Sequence, residues 1–199
     1  MADLGTRERI LEATAELYRR QGMSATGLKQ ISSTAKAPFG SIYHHFPGGK
    51  ESISVEVIRR EGVRYGDFVG TQLADADPAT AIPQLFENAG RLMESQDYSE
   101  ACSIETIALE VASTNERLRI EAAEVFQDWL TRLAQWFGQL DITEQQSRAL
   151  AMSTLTALEG AFVLCRTLRS IEPIIVAGQG VQSAVTVTLA QAQTPQCSL

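Results

Sequence analysis

Thirteen residues, "PFGSIYHHFPGGK" from Pro38 to Lys50, gather the side chains of this chain best suited to chemistry. They include His44 and His45, the only two histidines, with Tyr43 and Phe46 on either side and Pro47-Gly48-Gly49-Lys50 at the end. A shared metal ion fits poorly. Neighbouring helical residues point about 100° apart, and two ligands on one helix need a spacing of three or four. No nearby carboxylate or cysteine completes a ligand set, so neither a metal nor a cofactor is expected. Catalysis lacks its parts as well: there is no G-x-S-x-G, no glycine-rich loop between a strand and a helix, and no oriented Cys/His pair. "PGGK" lacks the upstream strand and the spacing of a phosphate loop. DNA recognition uses every residue of the stretch. A short helix would bring Phe39, Gly40 and Ser41 to a duplex while Ile42 and Phe46 pack inward. Tyr43 and His44 would donate to phosphates. Gly48 and Gly49 would let the main chain approach a phosphate, beside Lys50 and the positive end of the next helix.

Such residues need elements to hold them. Ile10, Ala13, Leu17 and Tyr18 form an apolar helical stripe, which Gly22 ends. Thr26 is placed to cap a second short helix with Leu28, Ile31 and Ala35. Ala37-Pro38 breaks it, a third helix runs from about Phe39 to His45, and a fourth starts near Lys50. Two short helices joined tightly and braced by another make a helix-turn-helix. Farther on, Asp77-Pro78 predicts a cap with a first-turn proline. Asn115 to Gly138 carries apolar residues at three- and four-residue steps. Thr143-Glu144-Gln145-Gln146 fits a capping box whose helix runs to about Arg169, and Pro173 opens the last helix. "VQSAVTVTL", Val181 to Leu189, is β-branched enough for a strand. A lone strand has no partner, so helix is expected there too. The tail Thr194 to Leu199 is expected to fray.

The 199 residues suffice for a buried core, and 44% hydrophobic with 21% charged residues argues against disorder. No apolar run reaches bilayer-spanning length, and the N-terminus has no signal-peptide pattern, so a cytoplasmic protein without a membrane partner is expected. Cys102, Cys165 and Cys197 are odd in number and far apart, which supports neither disulfides nor a thiolate zinc site. The net charge of −7 is divided unequally. Residues 1–65 hold ten Lys/Arg against seven Asp/Glu, and residues 66–199 hold seven against seventeen. A basic first third on an acidic body suggests that only the first third meets a polyanion.

The span from Thr6 to about Ile58 resembles the DNA-binding region of the TetR family of transcriptional repressors. The matching pieces are "RERILEATAELYRRQGMSATGLKQIS" and "PFGSIYHHFPGGKES". "YHHFPGGKE" and "ATGLKQI" look most like the LmrA/YxaF-type branch. The resemblance implies an all-α fold of about nine helices. Residues 1–49 would be a three-helix helix-turn-helix domain and residues 50–199 a helical effector-binding and dimerisation domain. By the same resemblance Lys29, Tyr43, His44 and Lys50 correspond to DNA contacts. Thr26 matches a helix cap that can also meet phosphate, and His45 matches a position that more often packs. With Lys36, Pro38, Phe39, Gly40 and Ser41 these complete the expected interface. Two positions depart from the pattern. Lys36 stands where the turn usually has glycine, at a cost of roughly 1–2 kcal/mol if the turn stays left-handed. Phe39 stands where the branch usually has a basic residue; it can pack on a thymine methyl or shield the turn.

Family members bind near-palindromic operators as two-fold dimers. A dimer face is expected on the last two long helices, with Leu150, Thr154, Leu158, Ala161, Phe162 and Cys165 as one stripe and Val181, Ala184, Val185, Thr188 and Leu189 as the other. The alternative is that both stripes face their own core. An effector pocket is expected among Phe86, Met93, Tyr98, Glu105, Leu109, Phe126, Trp129, Leu130, Trp136 and Phe162, with Glu105 as its polar group. Such a lining suits a small apolar or aromatic effector. The expected protein is a ligand-responsive repressor with the fourth helix as transmitter. The alternative is a helical small-molecule-binding protein or enzyme whose N-terminal region is scaffold.

Overall fold

The computed structural model describes residues 5–100 and 102–193. The tail Thr194 to Leu199, with Cys197, lies outside the described residues. Among those described, the chain forms nine α-helices and no strand. They are α1 (Thr6–Gln21), α2 (Leu28–Thr34), α3 (Phe39–His45), α4 (Gly49–Leu73), α5 (Ile82–Ser95), α6 (Ser103–Val111), α7 (Glu116–Phe137), α8 (Glu144–Leu168) and α9 (Glu172–Ala192). The all-α expectation holds. Val181 to Leu189 lies inside α9, where the helix satisfies backbone groups that an unpaired strand would leave bare.

Local signals set most boundaries. Thr143 and Gln146 form the expected capping box of α8. The Asn115 side chain accepts from the Leu118 amide at 3.0 Å and caps α7. Two expectations need correction. Asp77-Pro78 opens a turn, with Asp77 accepting from the Ala79 amide at 2.9 Å, and α5 begins only at Ile82. Thr26 does not cap α2. Gly27 is the cap residue, while the Thr26 hydroxyl is buried and donates to the Gly22 carbonyl at 2.7 Å.

By compactness the chain does not divide at the 49/50 boundary expected for its functions. One compact unit takes the chain up to Tyr65 and returns for Glu100–Phe126. Its core joins Ile10, Tyr18, Ile31, Ile42, Phe46, Ile53 and Ile58 to Ile104 and Ile107 of α6, all essentially inaccessible. Here α4 meets α7 closely: a Cβ on Gly62 would lie 2.6 Å from Val125. The Tyr18 hydroxyl bonds Ser54 at 2.7 Å, and burial pushes its pKa up to about 12. Around this core the arginines are consumed internally. Arg19 pairs with the buried Glu61 at 2.9 Å and with Glu100 at 2.8 Å. Arg60 reaches Glu8 at 2.5 Å and Glu12 at 2.8 Å. Arg59 grips Glu121 with two bonds of 2.6 Å, and Arg7 pairs with Glu56.

The other unit takes Gly66–Ser99 and the chain from Gln127 onward. Glycines let α5 and α9 pack tightly: a Cβ on Gly178 would lie 2.8 Å from Phe86, and one on Gly90 would lie 2.6 Å from Ile174. The Trp136 indole donates to the Leu73 carbonyl at 3.1 Å. The expected dimer stripes are largely used here. Leu150, Thr154, Ala161, Cys165, Val181 and Val185 are buried within the chain, and Leu158, Phe162, Ala184, Thr188 and Leu189 are half-buried. Hydrophobic spacing locates a helix's most apolar face, and α8 and α9 spend that face on their own core. A second apolar stripe stays exposed. It comprises Met152, Thr156, Gly160 and Val163 on α8, and Val176, Gly180, Ser183 and Val187 on α9.

By length and composition alone α8 and α9 are apolar enough to cross a membrane, a test that core helices of water-soluble proteins also pass. Interspersed Ser, Thr, Gln and Gly break the apolar runs of both helices.

Candidate nucleic-acid interface

The turn between α2 and α3 is closed by the main chain. The Ala37 amide donates to the Ser32 carbonyl at 3.0 Å, the Ser32 hydroxyl donates to the Ala37 carbonyl at 2.7 Å, and the Lys36 amide reaches the Ser33 carbonyl at 3.1 Å. This geometry places Lys36 at φ 49°, the left-handed region that favours glycine. The lysine accepts that strain while its side chain stands in solvent. Pro38 then leads into α3, which has no side-chain cap.

Helical spacing divides α3 into two faces. Ile42 and Phe46 are buried, with the Arg7 guanidinium 5.3 Å above the Phe46 ring. Phe39, Gly40, Tyr43 and His44 form an exposed ridge, because residues four apart stack along one side of a helix. The Phe39 and Tyr43 rings meet edge to face, 6.0 Å apart. Ser41 and His45 are half-buried, and the His45 ring lies between His44 and Phe46. The loop after α3 needs its glycines. Gly49 has φ 61°, and a Cβ there would touch the Tyr43 ring at 3.4 Å; one on Gly48 would collide with Ser52. Lys50 is the second residue of α4 and is half-buried. Burial lowers its pKa, and the nearby Glu110 carboxylate acts in the opposite direction.

Of the ten expected contact residues, Lys29, Lys36, Pro38, Phe39, Gly40, Tyr43 and His44 are exposed, while Ser41 and Lys50 are half-buried. Thr26 is the exception: it is inaccessible and its hydroxyl is spent on Gly22. Neither Lys29 nor Lys36 is ion-paired among the described residues, unlike Arg19, Arg59 and Arg60 of the same unit. One residue escaped sequence reasoning altogether. Glu110 of α6 accepts from the Ser24 amide and hydroxyl, both at 2.6 Å, and so holds the turn between α1 and α2. It lies 86 residues away along the chain, with no local pattern to link them.

The expected effector residues separate. Phe86, Met93, Tyr98, Trp129, Leu130 and Trp136 are buried in the unit that contains α5, α8 and α9, and Phe162 is half-buried there. Glu105 and Phe126 are half-buried in the unit that contains α3. Leu109 is corrected: it is 76% exposed and lines no interior. Its apolar neighbours in "SIETIALEVA" made it look internal, but α6 turns Ile104, Ile107 and Val111 inward instead.

Comparison with known proteins agrees with this arrangement. Residues 10–57 match the family model of bacterial regulatory proteins of the tetR family. Residues 78–180 match the model of the LmrA/YxaF-like transcriptional regulator C-terminal domain. The chain is 27% identical over 175 residues to the HTH-type transcriptional regulator LmrA of Bacillus subtilis, covering 85% of this chain and 91% of that protein. It is 28% identical over 171 residues to the uncharacterized HTH-type transcriptional regulator YxaF of the same organism, covering 85% and 90%. The crystal structure of regulatory protein TetR from Rhodobacter sphaeroides superposes with a TM-score of 0.79 at 19% identity, over 90% of this chain and 98% of that one.

Proposed function

Because the chain belongs to the TetR family of bacterial transcriptional regulators, with an LmrA/YxaF-like C-terminal domain, we propose that it is a cytoplasmic repressor. It binds a near-palindromic operator as a homodimer and leaves it when a small apolar or aromatic effector binds. The observation that carries this reading is the exposed ridge of α3 beside unpaired Lys29 and Lys36, in a unit whose arginines are consumed by carboxylates. Free cations around exposed aromatic and imidazole groups suit a polyanion with readable base edges. In this reading residues 1–49, together with Lys50 at the start of α4, bind DNA. Phe39, Gly40 and Ser41 face the bases. Tyr43, His44, Lys29, Lys36 and Lys50 serve the phosphates.

Residues 50–199 supply the effector site and the dimer face. The exposed stripes of α8 and α9 cover each other across a two-fold axis. Their small residues favour close helix approach, since a Cβ on Gly160 or Gly180 would meet nothing within 4 Å. The effector sits among Phe86, Met93, Tyr98, Trp129 and Leu130. It releases DNA by favouring the shape whose two reading heads are wrongly spaced for successive major grooves, roughly 34 Å apart. α4 is one continuous helix from Gly49 to Leu73 and is the transmitter in this account.

The test is a footprint of the purified protein on DNA flanking its own gene, with and without cell extract, followed by a salt titration. A symmetric footprint whose affinity falls steeply with salt supports the reading. A monomer at micromolar concentration that ignores every duplex at low salt sinks it.

A further inference from the structure

Gly40 has no internal reason to be glycine. It lies inside α3, its φ is not in the left-handed region, and a Cβ there would meet no atom within 4 Å. Glycine weakens a helix relative to alanine, so an unforced glycine on an exposed ridge suggests that something outside the chain comes close. Beside it stands Phe39, 44% exposed, at the position where α3 begins. Its ring leans edge-on against Tyr43, and the bare Cα of Gly49 in turn leaves room for the Tyr43 ring. Phe39 is therefore a part-exposed apolar ring braced by Tyr43, beside helix backbone that Gly40 leaves bare and open to solvent.

A phenyl ring can neither donate nor accept a hydrogen bond. The apolar feature that unmodified DNA offers in its major groove is the C5-methyl group of thymine. We propose that Phe39 and the bare backbone at Gly40, which lets a base edge come close, form a receptor for a pyrimidine C5-methyl group, so that each operator half-site carries a thymine under the first turn of α3. This rests on the DNA-binding reading above and adds the base that is read. Phe39 is a specificity residue; the cations and the α4 terminus supply sequence-independent affinity. A basic residue in its place would favour guanine instead.

The experiment uses full-length protein. Duplexes are selected from a random-sequence library, and each thymine of the tightest duplex is then replaced in both half-sites by deoxyuridine, which deletes only the methyl group. We expect one symmetric position at which the deletion weakens binding about fourfold per half-site, the factor expected for one buried methyl group. There, 5-methylcytosine opposite guanine should bind more tightly than cytosine opposite guanine. Phe39→Ala should bind the thymine and uracil duplexes equally and keep its salt dependence. Gly40→Ala, which favours the helix, should blunt the methyl preference by holding the base edge away from Phe39. If uracil matches thymine at every position while binding stays strong and salt-dependent, the methyl receptor is refuted and DNA binding stands. A methyl effect that survives in Phe39→Ala also refutes it, as does 5-methylcytosine that binds no better than cytosine. If no duplex is enriched and none is bound at low salt, the DNA-binding reading falls and takes this inference with it.

Discussion

Two of the regions that leave apolar side chains in water, α3 and the α8–α9 pair, do so differently. On α3 the exposed groups are Phe39 and Tyr43, two rings on a seven-residue helix, with exposed Lys29 and Lys36 near them in the chain. On α8 and α9 they are Met152, Val163, Val176 and Val187 on helices of 25 and 21 residues. Glu172 is the only charged residue of α9. The charge around an apolar patch therefore separates its partners. Unpaired cations beside aromatic rings suit a phosphate backbone with bases behind it. A long aliphatic stripe broken by glycines suits another helix of the same kind. The first contact should weaken with salt; the second should depend on salt little, because apolar burial drives it.

The largest expected effect breaks the second region. Val187→Glu would bury a carboxylate in the proposed dimer face. Sedimentation should show monomers at micromolar concentration, and operator affinity should fall on the order of 100-fold as the two heads lose their linkage. A variant that stays dimeric would mean that the stripe faces something else. In the first region, Lys50→Ala should weaken binding to all sequences alike and reduce the salt slope by about one counterion. A change confined to one base pair in a mutant panel would contradict that role. Lys36→Gly separates stability from binding at a single residue. Relief of the left-handed strain should stabilise the protein by about 1 kcal/mol, raising Tm by about 3 °C in a scan, while the salt slope becomes shallower. Leu109→Ser should do least. At 76% exposure it should move stability by less than about 0.5 kcal/mol, and effector titrations should be unchanged.

Much of the reading head was legible because its signals are local. Gly22 ends α1, Ala37-Pro38 separates α2 from α3, and Phe39 to His45 are the very bounds of the third helix. The inward turn of Ile42 and Phe46 followed from helical periodicity alone. Thr26 was misread because a threonine before a helix is a common cap, and only the fold shows its hydroxyl turned back to Gly22.

The amino-acid sequence by itself determined most of the helices, the turn at Lys36, and the family, since each depends on neighbours within a few residues or on short motifs. Tertiary structure alone decided how those helices spend their faces. It gave α6 to the core beneath the reading head, set Glu110 on the turn at Ser24, and turned the Leu150 and Val185 stripes inward. The physical reason is that periodicity says a face is apolar without saying what will cover it. Covering depends on contacts between residues tens of positions apart, and no local pattern records them.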